Sequence, residues 1–407
     1  MSKILFISDA HTPPLYCVRA RFFADYLTRQ GHSVMFVSER YDDECDCDSV
    51  ESPTYLHKPV GVYSSNPLAR VIKRTFVWLA DMVLPCKERI FTRGVRKAIA
   101  GQMFDVVICS TFHSFPLLTA QTIAREHNAK LMVDVRDMAE QMHGYVYHEF
   151  HPRVLHWLFS LKHKAEIHRR NSVLRTADAL TTVSPWHVEQ LRQYNPHVTL
   201  VYNGYNEGFV VPRALCQKRF EIVYLGKFYG EPLQCVDRFF EVVGKMVSAE
   251  DMDINIVFYT DEASRSRLSE HIPQVLADRI SFEGYVPRNQ VYTVLSEASA
   301  ALVLTNKERP EGPHGMMTTK FFEALGAGTP VLCTRSDGSY LATLVNSTHA
   351  GVTDDDLQEF EEYIRRLYRQ WQASGITTAD VADEVRVEYS RQQQAAKLNS
   401  IIDGFSK

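Results

Sequence analysis

No stretch of the 407-residue chain approaches the ~18 consecutive apolar residues that span a bilayer, which argues against an integral helical membrane protein. Cysteine is sparse. Eight residues, with no Cys-x-x-Cys pair, suit a reducing cytoplasm better than a disulfide framework. Cys45 and Cys47 lie close together in an acidic tract but lack the second Cys/His pair of a structural zinc site. Nineteen Gly and seventeen Pro are too few for a low-complexity chain. The opening MSKILFISDA has neither a long apolar core nor a cleavage site, so no secretory signal is expected. The chain also lacks a strong charge of either sign. Residues 1–205 carry 24 Lys and Arg against 20 Asp and Glu, and the remainder is net acidic, so no nucleic-acid partner is expected.

What is present is a rhythm. Lys3–Ser8 is a short buried-strand run. Val18, Phe22, Phe23, Tyr26 and Leu27 follow at helical spacing, and Gly31 is the expected C-cap before the next strand, Ser33–Ser38. Asp105–Cys109, Lys130–Val135, Ala179–Ser184 and Val198–Tyr202 continue the alternation. It restarts at Glu221–Gly226 and runs through Ile254–Tyr259, Ser281–Val286, Ala300–Leu304 and Pro330–Thr334. Strands alternating with helices predict an α/β fold of two doubly wound, Rossmann-like domains, 1–205 and 206–385, joined near Asn203–Arg219. Residues 386–407, with Val387, Leu398, Ile401 and Ile402 on one pattern, predict a closing helix.

Ligands of open parallel sheets bind beyond the carboxyl ends of the strands. The first such loop, Asp9–Leu15, has no glycine and holds Pro13-Pro14, which disfavours a dinucleotide pyrophosphate there. A Walker phosphate loop is absent as well. The most informative stretch is Glu311–Thr334. A helix is expected to open near Thr318 and end at Gly326 or Gly328, its N-terminus suited to a phosphate. Lys320 in the first turn adds a point charge, and Glu323, one turn deeper, presents a carboxylate to ribose hydroxyls. The plain alternative is a Lys/Glu pair on a solvated helix.

The segment from Lys320 to Leu332, KFFEALGAGTPVL, resembles the nucleotide-sugar motif of GT-B glycosyltransferases, especially retaining family 4 of the bacterial polysaccharide and lipopolysaccharide type. Val133–Asp137 resembles its strand-end Arg-Asp motif. Thr176–Ser184 and Val201–Asn206 are similar to the segments before its linker, and Ile222–Lys227 to the strand and glycine that open its nucleotide domain. Phe282–Val286 is similar to its base-pocket strand. The resemblance covers nearly the whole chain. It departs at Gly315, where the family often has Glu, and at Lys227, where it prefers Arg.

The resemblance implies a GT-B fold, two Rossmann-like domains facing a cleft, with the C-terminal helix crossing back to an acceptor-binding N-domain. It implies a nucleotide-sugar donor, UDP- or GDP-linked, held through Gly226, Lys227, Lys320 and Glu323. Glu311, Gly315, Met316, Met317 and Thr318 would lie at the donor sugar, and Tyr285 and Val286 at the base. His113 and Asp137 would act on the acceptor side, the first otherwise packing beside Phe112 and Phe115, the second otherwise pairing with Arg136 or capping a helix. The implied acceptor is a glycan or polyprenyl-linked sugar. A nucleotide-sugar epimerase of the same fold and a silent nucleotide- or partner-binding homologue are the alternatives. No metal is expected. Asp46/Asp48 and Asp251/Asp253 have Asp-x-Asp spacing in polar tracts, and His143, His148, Glu149 and His151 lack the His-Glu-x-x-His spacing of a zinc helix.

Residues 68–97 carry eight Lys and Arg against Asp81 and Glu88, interleaved with apolar residues including Trp78. Residues 153–175 repeat the pattern around Trp157. Together they predict docking on an anionic membrane surface, and so a cytoplasmic protein peripheral to the inner face of the membrane.

Overall fold

The structure, a computed structural model, describes residues 1–10, 18–39, 54–57, 67–141, 156–214, 217–231, 233–305, 314–334 and 338–405. Cys45, Cys47, the Asp46/Asp48 pair, the Pro13-Pro14 loop, Glu311 and the His143–His151 cluster lie outside these residues. The chain forms two compact units, Met1–Val201 with Ala395–Lys407, and Tyr202–Gln394.

The first unit contains a parallel sheet of β1 (Lys3–Ala10), β2 (Ser33–Glu39), β3 (Thr54–His57), β4 (Val106–Thr111), β5 (Lys130–Val135), β6 (Ala179–Thr182) and β7 (Val198–Leu200). Its spatial order is β3-β2-β1-β4-β5-β6-β7. The direction of winding reverses between β1 and β4, which makes their carboxyl ends the expected ligand crevice. Both faces are covered, so the strands read as nearly unbroken apolar runs. One core gathers Leu5, Ile7, Phe91, Val107, Ile123 and Val133, and the other Ile4, Phe6, Phe23, Phe36, Ile108 and Leu398. The short β3 escapes the sequence because Thr54–His57 has little apolar content.

The second unit repeats the design with β8 (Phe220–Leu225), β9 (Ile254–Tyr259), β10 (Ile280–Glu283), β11 (Ala300–Leu304), β12 (Val331–Thr334) and β13 (Gly351–Thr353). The order is β10-β9-β8-β11-β12-β13, all parallel. Here the switch point falls between β8 and β11.

Three details of the domain organisation differ from the sequence reading. The unit boundary lies at Val201/Tyr202, because Tyr202 packs on Phe322 and Tyr389 and the Tyr205 ring lies where a side chain on Gly326 would stand. The expected linker, Asn203–Arg219, is tied into the second unit as well. The Arg213 guanidinium donates to the carbonyls of Leu295, Ala298 and Thr377, and burial lowers its pKa to about 10. The tail is two helices, Asp383–Glu388 and Arg391–Phe405. Val387 is exposed, and the residues that enter the first unit's core are Ala395, Leu398 and Ile402. A bridge between Tyr205 and Ser390 keeps the stretch before Ala395 with the second unit. No helix among the described residues is long and apolar enough to cross a membrane.

Candidate functional site

In the second unit the crevice is built from the end of β8 and the helix Thr319–Ala327. Phe321, Phe322, Ala324 and Leu325 bury one face of this helix on the core. Thr318 is its N-cap, accepting from Lys320 N at 3.3 Å, and Gly328 closes it in the left-handed conformation at φ 69°. Fixing the buried face leaves Lys320 and Glu323 on the other one, half-buried.

Lys320 lies against the backbone of Gly226. A Cβ there would come within 2.9 Å of Lys320 Cε and 3.2 Å of Nζ, and the φ of +115° also favours glycine. Nζ sits 5.4 Å from the centroid of the Tyr224 ring, within cation–π range. Tyr224 is itself pinned, its hydroxyl donating to Lys227 O at 2.7 Å and accepting from Gln234 Nε2 at 3.1 Å. The ammonium is thus held at the carboxyl end of β8, over the switch point.

Burial lowers the Lys320 pKa, with Glu323 opposing. Burial raises that of Glu323, opposed by Lys320, Arg391 and Arg288. Among the described residues the Glu323 carboxylate accepts no hydrogen bond and closes no ion pair, so the two groups are not the simple solvated pair of a surface helix.

Lys227 is exposed and 3.6 Å from Asp261, which caps the helix Glu262–Ser269. It therefore stands beside a pocket of about 410 Å³ lined by Thr260, Asp261, Arg265, Phe282, Glu283 and Tyr285, among others. The Arg265 guanidinium covers the Phe282 ring at 5.5 Å, and the buried Thr260 Oγ1 has no hydrogen-bond partner. Tyr285 is an exposed wall of this pocket. Val286 is not among its lining residues; it packs on the core with Leu225 and Tyr259, because its apolar side chain turns inward. Thr260, Asp261 and Arg265 were missed in the sequence, although Thr260 directly follows a recognised strand. Gly315 is buried with φ 58°, Met316 is exposed and Met317 packs against the core, all just ahead of Thr318.

In the first unit, His113 follows β4 and Asp137 follows β5. His113 is exposed and meets Phe112 edge-on at 4.2 Å, whereas Phe115 packs away from it on Phe91. Although the residue as a whole is exposed, the chain packed around its imidazole desolvates the ring and lowers its pKa to about 4, with His163 and Arg170 adding while Glu166 and Asp9 oppose. It is neutral at physiological pH. Asp137 makes no ion pair with Arg136, whose guanidinium goes to Asp9 at 2.5 Å. Burial raises the Asp137 carboxyl to about 7, with Arg136 opposing and Asp9 adding. The nearby Asp134 is a structural contrast. Fully buried, it takes hydrogen bonds from Arg19, Ser110 and Thr181, and despite burial its pKa is lowered.

Of the Asp251/Asp253 pair, Asp251 ends a helix in the left-handed region and Asp253 pairs with Arg279. Glu88, counted in the sequence with the charges of a surface patch, is buried and caps the helix Leu117–His127 through the N–H groups of Leu118 and Thr119.

Comparison with known proteins adds the following. Residues 219–370 match the family model described as "Glycosyl transferases group 1", and residues 18–204 the one described as "Glycosyl transferase 4-like domain". No curated protein matches the chain. Among solved structures, sucrose-phosphate synthase from Thermosynechococcus elongatus superposes with a TM-score of 0.67 at 15% identity, over 99% of this chain and 98% of that one. Anabaena HepE in complex with UDP gives 0.63 at 10% identity, over 99% and 100%. The lipopolysaccharide outer core galactosyltransferase WaaB gives 0.59 at 14% identity, over 99% of each chain. At these identities the likenesses speak for the fold.

Proposed function

We propose a reaction for this chain, which belongs to the group 1 glycosyl transferases with a GT-B fold: transfer of a sugar, with retention, from a nucleoside diphosphate sugar to a glycan or lipid-linked acceptor in bacterial surface polysaccharide synthesis. The observation that carries it is the Gly226–Lys320–Glu323 arrangement at the switch point of the second unit. Lys320 and the N-terminus of its helix take the diphosphate, and Glu323 takes the ribose hydroxyls. As the bond from C1 of the sugar to the phosphate oxygen breaks, its electron pair leaves on the diphosphate, and Lys320 stabilises that charge where a bound cation would otherwise be needed. The acceptor oxygen bonds to C1 on the face the diphosphate leaves. Asp137 takes the acceptor's proton, and neutral His113 hydrogen-bonds a sugar hydroxyl. Lys227, drawn toward Asp261, lies at the base side of the donor, with Tyr285 as a wall for the base.

UDP is the first base to test, because HepE was solved with UDP and with UDP-glucose. Thermal shifts against UDP, GDP, CDP and ADP should single out one nucleotide. A ligand at 100 times its Kd adds ~2.7 kcal/mol to stability. Released nucleoside diphosphate from the matching sugar nucleotide separates a transferase from a silent binder. No shift with any of the four removes the donor assignment.

The acceptor is proposed to arrive on a membrane. The helix Pro67–Val83 leaves Leu68, Val71, Ile72, Phe76 and Leu79 exposed along one face, and the helix His156–Leu174, packed beside it through Arg169 and Asp81, adds Trp157 and Leu161. Lys87, Arg169 and Arg170 are engaged inside the unit, but Lys73, Arg89, Arg93, Lys97 and Lys164 remain exposed. Basic residues near an anionic leaflet contribute ~1 kcal/mol each, and the apolar stripe adds its buried area. Flotation is expected with anionic vesicles and lost in Ile72→Glu/Phe76→Glu. Equal binding to neutral vesicles, or none to anionic ones at low salt, would overturn the docking.

A further inference from the structure

Three strand ends of the first unit meet on one carboxylate that the proposed reaction does not use. Asp9, near the end of β1, receives Arg136 Nη2 at 2.6 and 2.5 Å on its two oxygens, the N–H of Phe112 at 3.2 Å and the Ser8 hydroxyl at 3.3 Å. β4 lies between β1 and β5, so Arg136, which follows β5, reaches across the end of a neighbouring strand, about two strand spacings or ~10 Å. Asp9 and Arg136 are only 19% and 16% exposed, so the pair is shielded from competing water.

Arg136 is also the chain neighbour of Asp137. We infer that Asp9 is a positioning residue for Asp137: by drawing the Arg136 guanidinium across the end of β4, it keeps Asp137 out of an ion pair and free to take a proton. The inference rests on the reading of Asp137 as the acceptor base. Asp9 acts twice in the same direction. It diverts the one cation adjacent to Asp137, and its own charge disfavours a second anion nearby. Among the described residues, the charged groups on the neighbouring elements have partners of their own or are neutral. Glu140, just after Asp137, is paired with the buried Arg170 of the helix His156–Leu174, Glu166 of that helix is paired with Lys162, and His113 is neutral near pH 7. The same carboxylate fixes the backbone of Phe112, so the loop carrying His113 and the start of the loop carrying Asp137 share one anchor.

The experiment reads Asp137 directly and needs no acceptor. The full chain is labelled with ¹³Cγ-aspartate, and the resonance missing from Asp137→Asn is titrated. In the wild type the midpoint is expected at about 7. In Asp9→Asn the released guanidinium turns to Asp137, and the midpoint should fall by about one to three pH units. Asp9→Glu should restore most of the wild-type value. Arg136→Gln should move the midpoint the opposite way, upward, because the cation that opposes burial at Asp137 is gone. A purely structural anchor would not give shifts of opposite sign. An unchanged midpoint in Asp9→Asn overturns the inference; should that variant fail to fold, an unchanged or lowered midpoint in Arg136→Gln does so. Failure of the underlying reading shows elsewhere, as full turnover in Asp137→Asn.

Discussion

Lys320→Ala is expected to lose about 10²–10³-fold in kcat and to weaken nucleoside diphosphate binding, with the melting temperature unchanged or raised. The loss follows from placement. Lys320 Nζ is held between Gly226 and the Tyr224 ring at the carboxyl end of β8, where the proposed diphosphate would lie. The stability expectation follows from the sign of the pKa shift. Burial lowers the Lys320 pKa, so the folded state disfavours the charged form that predominates at neutral pH. Removing the charge relieves that penalty. Glu323 is the mirror case, its pKa raised by burial, so Glu323→Gln should also keep the fold while losing donor affinity. Two half-buried charges held without a mutual hydrogen bond are what a site pre-organised for an anion and a diol requires, at some expense of stability. Gly226→Ala gives an independent arm. Its Cβ would displace the Lys320 side chain, and donor binding should fall without Lys320 being altered. Calorimetric titration with the nucleotide picked out by thermal shift measures all three. Wild-type donor affinity and turnover in Lys320→Ala would show the site to be misassigned.

Asp137→Asn is expected to remove most turnover while nucleotide binding, which the proposal assigns to the other unit, stays intact. The base is active when ionised. With a pKa of about 7, wild-type kcat/KM should therefore rise with pH through that value, and at pH 6 roughly a tenth of the carboxylates are ionised. The stability effect has the opposite sense. A carboxyl whose folded-state pKa lies above its unfolded value is best accommodated when protonated, and its contribution is lost as pH rises toward 7. Asp137→Asn should thus melt higher than the wild type above pH 7 and match it near pH 4. A rate profile flat across pH 6–8, or loss of nucleotide binding in the variant, would count against the assignment. His113→Ala is expected to behave alike in binding, with a smaller loss of rate, because an imidazole with a pKa of about 4 is a weak base and serves to orient a hydroxyl.

Most of the architecture was legible in the sequence, and the reason is periodicity. Parallel strands covered on both faces must be short, unbroken apolar runs, and Lys130–Val135, Ile254–Tyr259 and Ala300–Leu304 begin and end where the sequence places them. The helix carrying Lys320 and Glu323 was equally legible, because Thr318 caps it and Gly328 stops it, and both signals are local. Burial direction and partner choice are not local, and the tertiary structure alone decides them. Arg136 stands beside Asp137 in the chain but pairs with Asp9, 127 residues away, because β1 and β5 flank β4 in the sheet. Val286 packs against the core and Thr260 lines the pocket, and each follows a strand whose sequence carries no signal for which way the next side chain turns. Glu88 and Arg170, charges that composition assigns to the surface, are buried because each finds hydrogen-bond partners on elements distant in sequence. Sequence thus determined which elements form and which residue types stand at their ends. Only packing determined which of those charges find partners within the protein.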